Sequence, residues 1–340
     1  MRLPAEWESH ECTWMGWPHQ KKGWPGRFQE MKYVFGLMAF ILTRQCGEKI
    51  RILVLDSDHK TEAERILKSM DAHLDMISFH AIETDRSWLR DTAPIFVEDQ
   101  ERKLVGLDFL FNGWNRYSNF QLDNAAKIQI AKIAQAIHRE PRLGSQRVIL
   151  EGGAIDVNER SALLTTEECL LAGKTARHPD WTKDQWEVVF ETYFGTTETI
   201  WLKFGIRGDD TGGHIDDLAR FTSADQIVTL DPKSAKHEQD FHALTANLEV
   251  LSNTVYNIVK LPMPDPVIYQ GQQLPASYCN FYIGNEAVIV PVFNDPNDYI
   301  ALGILTEIFD ERRVIPFDCR ALVWGYGAVH CALMQQPKII

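Results

Sequence analysis

Short apolar runs alternate with amphipathic stretches from one end of this chain to the other. The runs KIRILVLD (49–56), DMISFHAI (75–82), KLVGLDFLF (103–111), QRVILEGG (146–153) and SALLTTEECLL (161–171) predict strands. So do ETIWLKFG (198–205), DQIVTLD (225–231), TVYNIVKLP (254–262), EAVIVPVF (286–293) and RRVIPFD (312–318). Between them, residues 26–45, 58–70, 121–139, 183–194, 234–252 and 297–309 predict helices. The 121–139 stretch has apolar residues at helical spacing, and 297–309 begins after an Asp-Pro pair, good chemistry for a helix start. Strands interleaved with helices throughout imply an α/β protein, not separate helical and sheet domains. Strand, helix and strand return at intervals of about 40 to 70 residues, as a repeated unit would, although the letters of successive units do not align. No Ser/Gly/Pro-rich linker or low-complexity tract divides the chain, so residues 1–340 read as one domain.

The 45% apolar and 24% charged fractions belong to a globular protein with a substantial core. No apolar run approaches the roughly 18 residues needed to span a bilayer. The N-terminal MRLPAEWESHECTWMGWPH lacks the basic-then-apolar order of a secretory signal. Six cysteines, at 12, 46, 169, 279, 319 and 331, form no CxxC pair and read as reduced thiols of a cytoplasmic protein. A net charge of −12 argues against a nucleic-acid binder, which would show a basic stripe, and mildly favours cationic small molecules. Neither GxGxxG nor GxxxxGK followed by Ser or Thr occurs, so no nucleotide-phosphate cradle is indicated.

Five polar groups interrupt the pattern at strand ends or on glycine-rich turns. They are SWLRDTAP (87–94) with Asp91, LEGGAID (150–156) with Glu151, GDDTGGHIDD (208–217) with His214 and Asp216, NDP (294–296), and GYGAVHCALMQQP (325–337) with Cys331. Each has a purely structural reading. Asp91 can pair with the adjacent Arg90 on the surface, Glu151 can cap a turn, and His214 can sit on a solvated loop. Cys331 can be a core thiol, cysteine being among the most buried residue types. His214 and Asp216 share a face if their segment is extended. Function is favoured by the combination, in which glycine-flanked polar residues recur at strand ends and one group carries a thiol.

A thiol with an imidazole performs nucleophilic acyl or amidine chemistry. Three carboxylates converging on the same pocket, Asp91, Glu151 and Asp216, would need a cation to neutralise them. Zinc is one candidate, but the Cys, His and Asp here lack the short local spacings of common zinc sites. A guanidinium is the other. It is planar and always charged, it is gripped best by bidentate carboxylates, and its central carbon is open to a thiolate.

At these residues the chain resembles the agmatine deiminases, of the guanidine-modifying superfamily that also holds the arginine deiminases and the bacterial type of peptidylarginine deiminase. The resemblance runs nearly full length through PAEWESHECTWMGWP, SWLRDTAP, FNGW, LEGGAIDV with LLTTEECLL, GDDTGGHIDDLARF and GYGAVHCALMQQP, in family order. It implies a five-fold pseudo-symmetric, pentein-like propeller of α/β units around a central site. It further implies Cys331 as nucleophile, His214 as acid and then base, Asp91 and Asp216 as a guanidinium clamp, Glu151 as holder of the site's charge, and Trp88 as a wall of the substrate channel. The implied reaction hydrolyses agmatine to N-carbamoylputrescine and ammonia, a step of polyamine metabolism, through a covalent amidino-cysteine. It implies neither metal nor organic cofactor, neither nucleic acid nor membrane, and is compatible with a homodimer.

Residue chemistry alone reaches only an alkylguanidine. Free or peptidyl arginine stays open as the substrate, with Arg90, Arg116 or Arg207 as partner for a carboxylate. Three positions depart from the family pattern: Tyr326 in a turn usually built of glycines, Gly212 where Asp or Asn is usual, and Ala93 where Gly is usual. Tyr326, five residues before the thiol, either packs outward or lies over the channel and tunes the substrate pocket.

Overall fold

The computed structural model describes residues 1–339, and its main sheets are five repetitions of one design. In each, a first strand pairs antiparallel with a second, the second pairs parallel with a third, and a helix crosses over between second and third. One sheet has strand β1 (His10–Gly16), helix α1 (Phe28–Arg44) and strand β2 (Ile50–Val54), extended by α2 (Ser57–Ser69) and β3 (Ile77–Ala81). The next has β4 (Ile95–Glu98), β5 (Leu104–Leu107), α3 (Gln121–Ile133) and β6 (Ile137–Arg139). The third has β7 (Asp156–Val157), β8 (Ala162–Thr166), α4 (Lys183–Phe194) and β9 (Glu198–Leu202). The fourth has β10 (Ala219–Ser223), β11 (Gln226–Leu230), α5 (Glu238–Ser252) and β12 (Asn257–Leu261). The fifth has β13 (Tyr282–Ile283), β14 (Ala287–Val292), α6 (Asn297–Ile308) and β15 (Arg313–Asp318). Strand β16 (Leu333–Pro337) returns antiparallel to β1, so the chain's last strand is the first strand of its first sheet.

The expected α/β alternation is therefore present, and its physical cause is visible in the burial. Every residue of β8 and nearly every residue of β14 is buried. Strands covered on both faces read as continuous apolar runs. Helix α4 is framed by a capping box of Thr182 and Gln185 and stops at Gly195, whose φ of +72° is the left-handed conformation common at helix ends. Among the described residues, no helix is long and apolar enough to cross a membrane. The six cysteines are buried and unpaired.

Three expected elements differ. The helix expected over 121–139 ends at Ile133, because Gln135 turns left-handed at φ +56° and 137–139 becomes strand β6. Glutamine rather than glycine holds that turn, which hides the stop. The strand expected over 161–171 ends at Thr166, whose hydroxyl accepts the Cys169 N–H at 3.1 Å and starts a one-turn helix, Glu167–Leu170. Over 146–153 only Gln146–Arg147 forms a strand, and the rest runs into a turn.

The fold's use lies in what precedes each first strand. Tight turns stand at Leu89–Thr92 before β4, Gly152–Ala154 before β7, Ile215–Asp217 before β10, residues 277–280 before β13, and Val329–Ala332 before β16. Their side chains meet one another, as the distances below show.

Candidate active site

Asp91 lies in the Leu89–Thr92 turn. Its Oδ1 accepts the Gly153 N–H at 3.1 Å and its Oδ2 accepts the Trp114 indole N–H at 2.9 Å. Arg90 points away and donates to Glu6 Oε2 at 3.2 Å, so the Asp91–Arg90 pair that the sequence allows does not form. Burial, and after it Asp216 and Glu151, push the Asp91 carboxyl up to about 6 against the opposing pull of His214.

His214 and Asp216 reach the same place by a turn and not by the alternation of an extended strand. His214 caps the 3-10 turn Ile215–Asp217. The loop before it is pinned by Asp209, whose Oδ2 accepts the Gly213 N–H at 2.7 Å and the His214 N–H at 3.1 Å. Gly212 there has φ +86°, and a Cβ on it would lie 2.7 Å from Thr175 Cβ. Gly153 has a different job. A Cβ on it would sit 2.5 Å from His214 Nδ1, 2.9 Å from Asp91 Oδ1 and 3.1 Å from Asp216 Oδ2. Three polar atoms from two turns thus face one point above Gly153. His214 Nδ1 and Asp216 Oδ1 have no hydrogen-bond partner although both residues are buried. Buried polar atoms are nearly always paired, so two unpaired ones on neighbouring side chains mark groups open to a ligand.

Behind this point the charges are matched. Arg177 Nε donates to both oxygens of Glu151 at 2.9 and 3.0 Å, and its Nη2 lies 3.3 Å from His214 Nε2. Burial alone would raise Glu151, but Arg177 and then His214 outweigh it and hold the carboxyl at about 2. Burial would lower His214, yet the acidic groups around it, Asp91 first, push it well above the ordinary histidine value. His330 is set between two carboxylates, with Nδ1 2.7 Å from Asp216 Oδ2 and Nε2 2.7 Å from Glu6 Oε2. Against burial, the His330 ring, followed by His214 and Arg220, keeps Asp216 below its ordinary value.

Cys331 stands in the Val329–Ala332 turn. Its Sγ receives the Asn280 Nδ2–H at 3.2 Å and lies 3.8 Å from Asp216 Oδ2. Burial, then Asp216, Asp217 and Asp91, push the thiol well above the ordinary cysteine value. Cys331 and Asp91 both line a cavity of about 480 Å³ whose walls include Trp24, Trp88, Trp114, Tyr117 and Tyr326. His214 is packed against Asp91, Asp216 against Cys331 and Glu151 against His214, and these three are not among the residues that line it. Glycines 325 and 327 press against Trp88: a Cβ on Gly327 would be 2.9 Å from its ring and 3.1 Å from Cys331 Cβ. Tyr326 between them takes a left-handed φ of +63°, lines the cavity and donates its hydroxyl to Gln272 Oε1 at 3.0 Å.

The structure thus brings Asp91, Glu151, His214, Asp216 and Cys331 into one centre and puts Trp88 and Tyr326 on the cavity above it. The NDP group at 294–296 is elsewhere. Asp295 Oδ1 accepts the Asn297 N–H at 2.8 Å at the start of α6, a structural turn. Sequence reasoning did not single out Arg177, Asn280, His330 or Glu6. Only His330, next to the thiol, carried a local signal. The ligand atoms of Glu151, Cys169 and His214 lie within 4.8 Å of one another, as metal ligands would. They do not suit a metal, because the Arg177 guanidinium already occupies both Glu151 oxygens.

The sequence profile of the Porphyromonas-type peptidyl-arginine deiminases matches residues 2–337. A Mycoplasma capricolum protein with the provisional name agmatine deiminase is 30% identical, over 98% of this chain and 95% of its own. A Legionella pneumophila protein with the same provisional name is 29% identical, over 99% and 94%. The structure of a C. jejuni agmatine deiminase, a cysteine-to-serine form with substrate bound, is 27% identical with a TM-score of 0.87, covering 100% of this chain and 97% of its own. An Enterococcus faecalis agmatine deiminase, 24% identical over 100% and 96%, shares the fold at a TM-score of 0.87.

Proposed function

The chain belongs to the Porphyromonas-type peptidyl-arginine deiminase family, and we propose that it is an agmatine deiminase, hydrolysing agmatine to N-carbamoylputrescine and ammonia. The observation that carries this reading is the convergence of His214 Nδ1, Asp91 Oδ1 and Asp216 Oδ2 on one point above Gly153, in the centre that also holds Cys331. A planar cation with several N–H donors answers the two carboxylates of that set, and the imidazolium beside them is placed to give a proton.

In the proposed mechanism Asp91 and Asp216 hold the guanidinium nitrogens and set the central carbon against Sγ. The positive charge of the substrate offsets the carboxylates that keep the thiol protonated, so as the substrate is bound the thiol loses its proton to solvent and the thiolate forms. Sulfur attacks the guanidinium carbon. His214, kept protonated by Asp91 and Glu151, passes its proton to the departing nitrogen, and the C–N bond breaks with release of ammonia. An S-alkylthiouronium remains on Cys331. His214 then takes a proton from water, the hydroxide attacks the same carbon, and the C–S bond breaks with its electron pair going to sulfur. Loss of the remaining hydroxyl proton to solvent gives the ureido product and the restored thiolate.

The substrate preference rests on the cavity's charges. Asp85 and Asp210 line it, and its cationic side chains are Lys22 and Arg86. Arg86 is committed to Asp123 Oδ2 at 3.3 Å and to Asn119, and Arg90 to Glu6, so a substrate carboxylate meets few free partners while a distal ammonium meets the Asp85 carboxylate. Trp88 and Tyr326 would flank the alkyl chain. A single catalytic domain over the whole chain and a cytoplasmic setting, which suits six unpaired thiols, belong to the same proposal. The test is ammonia release across agmatine, free arginine and an arginine peptide. Agmatine is expected to be turned over best. Preference for either arginine compound would move the reading to a deiminase of another substrate, and no ammonia from any guanidine would overturn it.

A further inference from the structure

Four of the five turns at the centre supply a group to the proposed chemistry: Asp91, Glu151, Asp216 with His214, and Cys331. The fifth turn, before β13, supplies Asn280, which neither the sequence reading nor the mechanism uses. Its side chain is fully buried. Nδ2 donates to Cys331 Sγ at 3.2 Å and to Asp217 Oδ1 at 3.0 Å, while Oδ1 accepts the His330 backbone N–H at 3.0 Å. A backbone N–H can only donate, so this contact fixes which end of the amide faces the sulfur. Around Sγ the other nearby polar groups are acceptors, Asn280 Oδ1 at 3.5 Å and Asp216 Oδ2 at 3.8 Å, apart from the Ala328 backbone N–H, which also favours the thiolate. A sulfur that must bear negative charge among carboxylates requires a fixed donor.

We propose that Asn280 is a positioning residue for the nucleophile: its amide N–H aims Sγ, stabilises the thiolate before attack and on its departure from the thiouronium, and holds Asp217 by the same nitrogen. The inference deepens the deiminase reading and rests on it for the effect on turnover, but one arm of the test needs no guanidine.

That arm is the rate at which iodoacetamide alkylates Cys331 as a function of pH, read on the Cys331 peptide by mass spectrometry because all six thiols are buried. Asn280→Asp keeps the acceptor for His330 and replaces the donor facing sulfur. Asn280→Ser serves should the added carboxylate prevent folding, and circular dichroism confirms the fold of each. The alkylation midpoint is expected to move up by about one pH unit or more, with an alkylation rate at neutral pH lower by about tenfold or more, as for loss of a hydrogen bond to a charged group. Turnover should fall mainly in kcat, with KM changed less than about threefold. In a Cys331→Ser background, Asn280→Ser should leave agmatine binding by calorimetry unchanged, because Asn280 acts through the sulfur. An unshifted alkylation profile in a folded variant would overturn the inference while leaving the deiminase reading intact. A shifted profile in a protein that turns over no guanidine would leave Asn280's hold on the thiol standing and remove the deiminase reading.

Discussion

Glu151 and Asp91 are both buried carboxylates beside His214, at 3.7 and 3.8 Å from its ring nitrogens, and their surroundings treat them in opposite ways. Glu151 has a guanidinium laid across both oxygens and is held at about 2. Asp91 has only two N–H donors, no cation in hydrogen-bond contact, and is pushed up to about 6. The same division runs through the whole centre. At the back, Glu6 is 3.2 Å from Arg90, 3.1 Å from Arg220 and 2.7 Å from His330. At the front, Asp216 keeps one oxygen unpaired. The lesson is that a buried charge matched by the chain belongs to the fold, whereas one left short of a partner is reserved for a ligand.

Breaking the front should cost activity, and at Asp91 it should spare stability. Asp91→Asn or Asp216→Asn should lower kcat/KM by about 100- to 1,000-fold or more, since a buried guanidinium that loses a charged partner costs on the order of 3–5 kcal/mol. Thermal melting of Asp91→Asn should change little at neutral pH. A carboxyl raised on folding works against stability as pH rises from its unfolded value towards about 6, so removing its charge takes away no support. Normal turnover by Asp216→Asn would make that residue structural.

Breaking the back should cost stability first. Arg177→Met leaves Glu151 charged and unpaired and should destabilise by about 3–5 kcal/mol in urea unfolding. Glu151 is depressed on folding, so its contribution is fully present above its unfolded value, near pH 4 to 5, and is lost as pH falls towards about 2. Parent and variant stabilities should therefore converge in acid. A stable Arg177→Met protein that had lost only activity would erase the distinction between front and back.

The pH profile sharpens the comparison further. Protonated Asp91 cannot hold a guanidinium, so kcat/KM should fall about tenfold per pH unit below about 6. A flat profile through pH 5 would mean that Asp91 is not part of the clamp. The smallest effect is expected at the rim. Tyr326→Gly relieves a left-handed tyrosine, a conformation costing about 1–3 kcal/mol, and frees Gln272 of its hydroxyl partner. Selectivity among alkylguanidines of different length should shift several-fold while reaction with a minimal guanidine holds. Equal selectivity would assign Tyr326 to packing.

What the sequence reveals follows the same physics. Second and third strands such as 162–166 and 287–292 are legible because burial on both faces writes them as apolar runs. The first strands, 95–98, 156–157, 219–223, 282–283 and 333–337, are not, because they follow directly on polar turns, and 95–98, 156–157 and 282–283 are short as well. Asp91, Glu151, His214, Asp216 and Cys331 stand out as polar interruptions beside glycines. Arg177 and Asn280 do not. Their meaning lies in partners 26 and 51 residues away, which only the closed fold brings to hydrogen-bond distance.

The account turns on one covalent bond, that between Cys331 Sγ and the guanidinium carbon. The most direct measurement is mass spectrometry of protein quenched in acid during turnover of agmatine, with the Cys331 peptide resolved from those of the other five thiols. The account predicts an adduct equal to agmatine less ammonia on Cys331, formed with the first ammonia released and absent from Cys331→Ala, which should turn over no substrate. Steady ammonia release from Cys331→Ala, or an adduct on another cysteine, would contradict it.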